Sequence, residues 1–288
     1  MVRRLKSHIL INALEKASYS HLIAVDIMPL YAAQQVQDRC HFLSLEILPH
    51  DSYLRKIDKD KIQSVIIQNK SRYDYLFKGK DLPTFYIQNA PFCKDIHVNH
   101  EERRYLLWAG SIVKEFAVFK CLDFVKAYPD YKIVLKGAAN EQTRRELMAG
   151  YKDLVQSGNA VINEDYLSAE DFIGYLSKFA IGFCFYSWDL IRSNFNYQSA
   201  PSGKLFMYLA AGVPVIACNI PAFKFIEAYE AGILIDDYEP ATIYKAIKAI
   251  EADYNKYHLN SYKAAYDSCF DNGAGKFRQY LLSTESDR

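Results

Sequence analysis

The sequence predicts an α/β protein of two parallel-sheet domains. Three observations carry this expectation. At 288 residues the chain has room for about two domains. It is 50% apolar and 24% charged, enough for each half to bury a core of its own. Short β-branched or apolar runs alternate with stretches of helical period, the pattern of parallel strands covered by helices on both faces.

Taken in order, the first third reads as a helix near 6–16 and strands over 22–26, 42–46, 64–68 and 84–88. Asn89-Ala90-Pro91 ends the last of these with turn chemistry. Residues 94–104 are polar and charged and suit a linker, so the domain boundary is expected there. The domains are then 1–100 and 105–274, with a terminal helix over 275–282 expected to cross back to the first.

The second series opens with a strand over 105–109 that ends at Gly110-Ser111, followed by a helix over 116–127. A strand over 132–135 ends at Gly137, and a helix covers 141–156. After a short strand over 160–163, Ser168 caps a helix through 178, with Asp171 at N3 as the acidic half of a capping box. A buried strand over 181–186 leads into a polar loop, 187–200. Pro201 opens the next helix and Gly212 stops it. A strand over 213–218, a helix over 221–229, a strand over 233–236 and a helix over 240–253 complete the series. Residues 105–236 therefore hold about six βα units, one complete doubly wound domain.

Composition excludes several classes. The 35 basic residues nearly cancel the 34 acidic ones, and no basic stripe stands out, so nucleic acid is not an expected partner. None of the six cysteines forms a C-x-x-C pair, which excludes the common zinc and redox motifs. Cys184 and Cys218 lie in strand-like runs and read as buried thiols, favouring a reducing, cytoplasmic setting. Met1-Val2-Arg3-Arg4 resembles a signal n-region, but Asn12, Glu15 and Lys16 interrupt the apolar stretch behind it. The longest apolar stretch, 208–218, is too short to span a bilayer. His97 and His100, beside Glu101, have a loose metal-ligand spacing but sit in the linker, and no metal site is expected.

In open α/β sheets ligands bind outside the carboxyl ends of the strands. That rule points to 110–114, Gly137, 163–166, Ser187-Trp188 and above all 199–204. Ser199-Ala200-Pro201-Ser202-Gly203-Lys204 leads straight into a helix, whose first N–H groups favour an anion. Ser202 adds a hydroxyl, Gly203 allows close backbone approach and Lys204 adds a charge. The plain structural reading is a Ser-capped surface helix, and the P-loop string is absent.

The string A-P-S-G-K-L-F-M-Y-L-A-A-G-V-P-V-I-A-C-N over 200–219, with Pro221 and G-I-L-I-D over 232–236, resembles the donor-binding signature of GT-B glycosyltransferases. It is most similar to the GT4-like bacterial enzymes that build surface polysaccharides. Ser44-Leu45-Glu46, V-I-I-Q-N-K-S-R over 65–72 and F-Y-I-Q-N over 85–89 resemble, more weakly, strands of the acceptor domain in the same enzymes. The resemblance implies two Rossmann-like domains and transfer of a sugar from a UDP- or GDP-linked donor to a glycan or lipid-linked saccharide. It implies that Ser202, Gly203 and Lys204 meet the donor diphosphate, that Ser111 and Lys114 face its phosphates, and that the 163–167 turn holds the base, with Tyr166 as a stacking surface. No cofactor is implied, and no metal: fixed cations and helix amides stabilise the leaving diphosphate. A lipid-linked acceptor would bring the protein to the inner face of the membrane.

Two departures stand out. The family's ribose-gripping acids fall where this chain has Ser199 and Met207, leaving Tyr208 or Asn196 for that task. Four strands in the first domain, against about six in a full Rossmann half, suggest two or three units before Met1 or a partner subunit that supplies them. A base for the acceptor hydroxyl is sought at strand ends, at Glu46 and Asp26, although each also fits a carboxylate that caps a turn. Tyr186 and Trp188 are candidate walls for a sugar pocket, Lys136 a second phosphate cation, and Arg192 and Asn194 contacts for sugar hydroxyls. Arg103 and Arg104 read as a solvated face. A non-catalytic nucleotide-sugar-binding partner subunit and a sugar-nucleotide epimerase of the same fold are the alternatives.

Overall fold

A computed structural model describes residues 2–48, 50–96 and 103–285. The chain separates into two compact units, one holding the residues up to Gln88 together with those from Phe270 on, the other Asn89–Cys269. The division falls ahead of the charged 94–104 segment. His97, His100 and Glu101 lie outside the described residues.

The first unit is built from α1 (Val2–Leu14), β1 (Ile23–Val25), α2 (Ile27–Val36), β2 (Cys40–Leu43), β3 (Ile62–Ile67), α3 (Lys70–Phe77) and β4 (Thr84–Tyr86). Its four strands are parallel in the order β1-β2-β3-β4. The helices α2 and α3 were not expected. In α2 the run Ile27-Met28-Pro29-Leu30 is too uniformly apolar to show a period. At α3 the apolar run of β3 leads without a break into Asn69, whose side chain caps the helix by accepting the Arg72 N–H at 3.1 Å.

The second unit contains β5 (Arg104–Ala109), α4 (Val118–Ala127), β6 (Ile133–Lys136), α5 (Glu141–Gly150), α6 (Lys152–Gln156), β7 (Ala160–Asn163), α7 (Ala169–Leu176) and β8 (Phe179–Cys184). It continues through α8 (Trp188–Ser193), α9 (Phe195–Ser199), α10 (Gly203–Ala210), β9 (Val215–Cys218), α11 (Lys224–Ala228), β10 (Gly232–Ile235), α12 (Pro240–Ala252) and α13 (Tyr254–Ser268). The six strands are parallel, in the order β10-β9-β8-β5-β6-β7. Central strands such as β8 and β9 are apolar along nearly their whole length because both faces are covered.

Several boundaries differ from expectation for identifiable reasons. The helix expected from 116 starts at Val118, because Ala117 takes a left-handed φ of 56° after a single 3₁₀ turn. The helix expected over 141–156 breaks at Tyr151. The 187–200 loop is two short helices, since Ser187 and Asn194 are N-caps. Pro201 stands outside α10, with Ser202 at the N-cap. Arg103 is no solvated face: it donates to the Gly212 carbonyl at 2.9 Å and to the Tyr262 hydroxyl at 3.3 Å. The Ser168 cap forms, its hydroxyl accepting the Asp171 N–H at 3.1 Å, but the expected acidic half differs: the Asp171 carboxylate accepts the Ser168 hydroxyl at 2.6 Å, a side-chain bond in place of one to the N-cap amide.

The last helix, α14 (Phe270–Glu285), belongs to the first unit and packs on β4. Gly273 permits the approach, because a Cβ there would lie 2.9 Å from the Tyr86 carbonyl oxygen. Phe277 meets Phe85 with ring centroids 5.2 Å apart, and the Tyr280 hydroxyl donates to the Gln63 carbonyl at 3.2 Å. Cys93 and Cys269 form a disulfide near the two ends of the second unit, a pairing across 176 residues that no spacing motif announces. Cys40, Cys121, Cys184 and Cys218 are buried free thiols. Among the described residues no helix is long and apolar enough to cross a membrane.

In the second unit the β5–β8 ladder runs to Leu107↔Gly182. Just beyond it, the buried Tyr208 hydroxyl accepts the Ala109 N–H at 2.6 Å and donates to the Phe183 carbonyl at 3.3 Å. This side chain was a candidate for gripping ribose, and the structure gives it to the sheet instead. Tyr208→Phe leaves the Ala109 amide buried without its partner and is expected to destabilise the protein by about 1–3 kcal/mol, read as a lower denaturation midpoint. Gly212→Ala is expected to cost more, because φ there is 65° and a Cβ would lie 2.4 Å from the Tyr262 ring.

Candidate functional site

Strand order locates the site in the second unit. The chain runs β5, β6, β7 to one side and β8, β9, β10 to the other, so its topological switch point lies between β5 and β8. Three segments meet there: the end of β5 with Gly110 and Ser111, the end of β8 with Tyr186 and Ser187, and the start of α10. The Ser187 N–H donates to the Glu115 carbonyl at 2.8 Å, joining the first two.

The turn after β5 depends on glycine. Gly137, at the end of β6, has φ 146°, and a Cβ there would lie 2.0 Å from the Gly110 carbonyl oxygen. The Gly110 N–H donates to the Lys136 carbonyl at 2.8 Å. These two backbones therefore pack directly on each other.

Lys204, in the first turn of α10, reaches into the switch point. Its side chain is half-buried, and the ammonium lies 3.7 Å from the centroid of the Trp108 ring, with the Phe116 and Tyr186 rings at 5.8 and 5.9 Å. No carboxylate pairs with it among the described residues. Burial pulls its pKa below the ordinary lysine value, and the neighbouring Cys184, Cys121 and Cys218 oppose that shift. Burial in turn raises the thiols, Cys218 to about 12. A desolvated cation over an indole face gains about 2 kcal/mol, less than the several kcal/mol that burying a lone ion costs. The crevice therefore holds an excess of positive charge. Ser202 makes no capping bond; it stands beside Cys184 and Tyr186 and lowers both pKa values against the stronger upward push of burial. The N-cap side chain thus leaves the α10 amides uncapped. Gly203 lies against Asn89, whose side-chain nitrogen is 3.2 Å from where a Cβ would be.

The other expected donor residues are spread around this point. Ser111 is exposed, and its carbonyl accepts the Trp108 indole N–H at 3.3 Å. Lys114 lines a cavity of about 910 Å³ with Glu115, Lys120, Trp188, Arg192 and Tyr238. Trp188 stacks on Tyr238, with the rings 10° from parallel. Arg192 is paired with Asp189 at 2.6 Å, and Asn194 caps α9. Tyr186 is buried, so it does not wall an open pocket. Asn196 and Ser199 are buried too, and the Ser199 hydroxyl donates to the Phe195 carbonyl at 2.7 Å.

The turn after β7 is rigid. Lys136, expected as a phosphate cation, is buried and donates to Asn163 Oδ1 at 2.6 Å and to the Asp165 carbonyl. Its charge is occupied in holding the turn. Glu164 accepts the Ala139 N–H at 2.9 Å and pairs with Arg144, and these bonds hold its carboxyl below the usual range. Tyr166 projects from the turn and is 91% exposed.

In the first unit the two candidate bases converge. Asp26 Oδ1 accepts the N–H groups of Leu45 at 2.8 Å and Glu46 at 2.9 Å, binding the end of β1 to the end of β2. Its backbone is strained, with φ 64° and ψ 174°. Burial raises the Glu46 carboxyl, Arg72 opposes the rise and Asp26 adds to it. Arg72 is fully buried, donates to the Leu45 carbonyl at 2.8 Å, and is pulled down to about 10 by burial. Sequence reasoning passed over Arg72 because it stands in a string that reads as strand; the Asn69 cap three residues earlier was the available signal.

Gly137→Ala is expected to displace the Gly110 carbonyl and loosen the 110–114 loop, since the clash is with backbone and not with a flexible side chain. Faster amide exchange over 110–114, with a lower melting temperature, is the expected result.

No protein-family model matches the sequence, and no curated protein matches it. Solved structures do. A trehalose-6-phosphate protein from E. coli, bound with UDP-2-fluoro glucose, is similar at TM-score 0.71 and 9% identity, over 97% of this chain and 77% of that one. A UDP-forming trehalose-phosphate synthase from Burkholderia xenovorans gives 0.71 and 8%, over 97% and 78%. The N-terminal domain of Candida albicans trehalose-6-phosphate phosphatase gives 0.68 and 10%, over 98% and 74%. Both parallel-sheet units take part in the likeness, and the chain has the GT-B fold of two Rossmann-like units.

Proposed function

We propose that this protein is a nucleotide-sugar-dependent glycosyltransferase that binds a UDP- or GDP-linked donor at the β5–β8 switch point. The observation that carries the reading is the Lys204 ammonium, held against the Trp108 ring at the start of α10 with no carboxylate partner among the described residues. A diphosphate supplies the missing negative charge and takes the helix amides as donors. As the glycosidic bond to the donor breaks, charge grows on the leaving diphosphate, and a fixed cation in a poorly solvated crevice stabilises that state more than the ground state. These groups do the work for which other transferases use a metal ion. Lys114 and Ser111 are assigned to the donor phosphates, Tyr166 to the base, and Glu46 to the acceptor hydroxyl as base. Asp26 holds the Glu46 backbone in place. The acceptor is a glycan or lipid-linked saccharide, met at the cytoplasmic face of a membrane.

One observation favours a second reading, a nucleotide-sugar-binding subunit without turnover. The expected ribose-gripping acids are absent, Ser199 is turned inward, and Met207 packs against the core. Release of nucleotide from UDP- or GDP-sugar by the isolated chain would exclude that reading.

The donor site is tested by titrating UDP, GDP and CMP and measuring the melting temperature. Stabilisation by UDP or GDP is expected; none by any of the three at millimolar concentration overturns the donor site. Lys204→Met is expected to abolish the stabilisation without lowering the nucleotide-free melting temperature, since it keeps the stem and removes a poorly solvated charge. The pH dependence comes from the depressed Lys204 pKa. The unfolded chain keeps the ordinary lysine value, so the folded state binds this proton less well. The contribution of Lys204 to stability therefore rises as pH climbs from the depressed value toward the ordinary one. Nucleotide affinity, which needs the charge, falls over the same window.

A further inference from the structure

Trp108 is the second-last residue of β5 and is fully buried, yet it makes two polar contacts on different sides of its ring system. Its indole N–H donates to the Ser111 carbonyl at 3.3 Å, within the loop after β5. Its ring face receives the Lys204 ammonium at 3.7 Å. Gly110, one residue past the strand, lies beside the lysine stem: a Cβ there would make ordinary contact with Lys204 Cδ at 3.6 Å. Packing alone would be met by any large apolar side chain at this position. The pairing of an N–H donor with an electron-rich face is particular to tryptophan.

We infer that Trp108 is the positioning residue of the nucleotide crevice: its ring face holds the Lys204 ammonium at the switch point, and its N–H fixes the phosphate-facing loop at Ser111. The inference rests on the nucleotide reading of this crevice. Other groups facing the ammonium are the Phe116 ring from the turn before α4, Cys121 from α4, Cys184 and Tyr186 from the end of β8, and Cys218 from β9; of these the three thiols and the phenol can titrate. All four are neutral at physiological pH, because burial raises each of them. Three ring faces then remain over the ammonium, those of Trp108, Phe116 and Tyr186, and the indole is much the nearest at 3.7 Å, so it does most to keep the amine protonated until an anion arrives. Without the ring, the lysine would lose its proton more readily or swing out to water, and the anion would meet a mobile or neutral partner.

The test separates this electrostatic role from packing. Trp108→Leu leaves a cavity and is open to the objection of misfolding. Fluorinated tryptophans keep the shape of the ring and withdraw electrons from its face. The chain has two tryptophans, so incorporation in a Trp188→Phe background confines the change to Trp108. Two quantities are read across mono-, di- and trifluorotryptophan: the Lys204 titration by NMR in nucleotide-free protein, and UDP affinity by calorimetry. A stepwise fall of the Lys204 pKa is expected, by about one for the trifluoro form, with UDP binding about tenfold weaker. A Lys204 pKa that does not respond to fluorination overturns the inference, even where UDP binds well. UDP that fails to bind the unfluorinated protein with Trp188 intact overturns the nucleotide reading instead, and with it the role assigned to Trp108 in anion binding. Trp108→Phe adds a check on the other contact: it keeps a ring face and loses the N–H, and faster amide exchange over 110–114 is expected. Unchanged exchange there removes the Ser111 half of the inference.

Discussion

The Tyr208 hydroxyl bridges the two central strands of the second unit where their ladder ends. Adjacent parallel strands normally remain bonded to their ends. Here β5 and β8 part beyond Leu107 and Gly182, and a phenol from α10 takes the Ala109 amide and the Phe183 carbonyl in place of a continued ladder. The same bond fixes α10 over the sheet edge. Positions four apart share a helix face, so a helix anchored by Tyr208 must aim Lys204 into the gap that Tyr208 bridges. Strand separation, helix placement and the position of the cation are thus consequences of one side chain.

The two lysines at this edge show how environment sorts equivalent residues. Lys136 closes β6 and finds Asn163 Oδ1 and the Asp165 carbonyl, so its charge is neutralised by dipoles and stabilises a turn. Lys204 finds an indole face and protonated thiols, which is enough to keep it in place and too little to compensate it. A folded protein that retains such a charge loses stability for it, and functional sites are where that loss is commonly found.

In the first unit a comparable logic links Asp26, Glu46 and Arg72. Asp26 accepts two amides from the end of β2 and tolerates a strained backbone to do so. Arg72 reaches the Leu45 carbonyl from α3. Two separate elements therefore hold one short segment, 45–46, and leave the Glu46 side chain exposed with a raised pKa.

Much of this was legible in the chain order of residue types. Alternating apolar runs and helical stretches specify parallel sheets, because each strand must return through a covering helix. The Gly110, Gly137 and 199–204 turns arise from Gly, Pro and Ser, whose backbone preferences are local. The helices α2 and α3 and the caps at Ser187 and Asn194 were not legible, since a uniformly apolar run has no period and a capping residue looks like a loop residue until its partner amide is placed. Side-chain roles were least legible. Nothing in the order of residues distinguishes Lys136 from Lys204, removes Tyr208 from the ribose, joins Cys93 to Cys269 or turns Trp108 toward a cation. Each of those depends on which atoms from distant segments arrive within hydrogen-bonding or van der Waals reach. Local preference sets the elements, whereas charge compensation and burial are properties of the assembled packing.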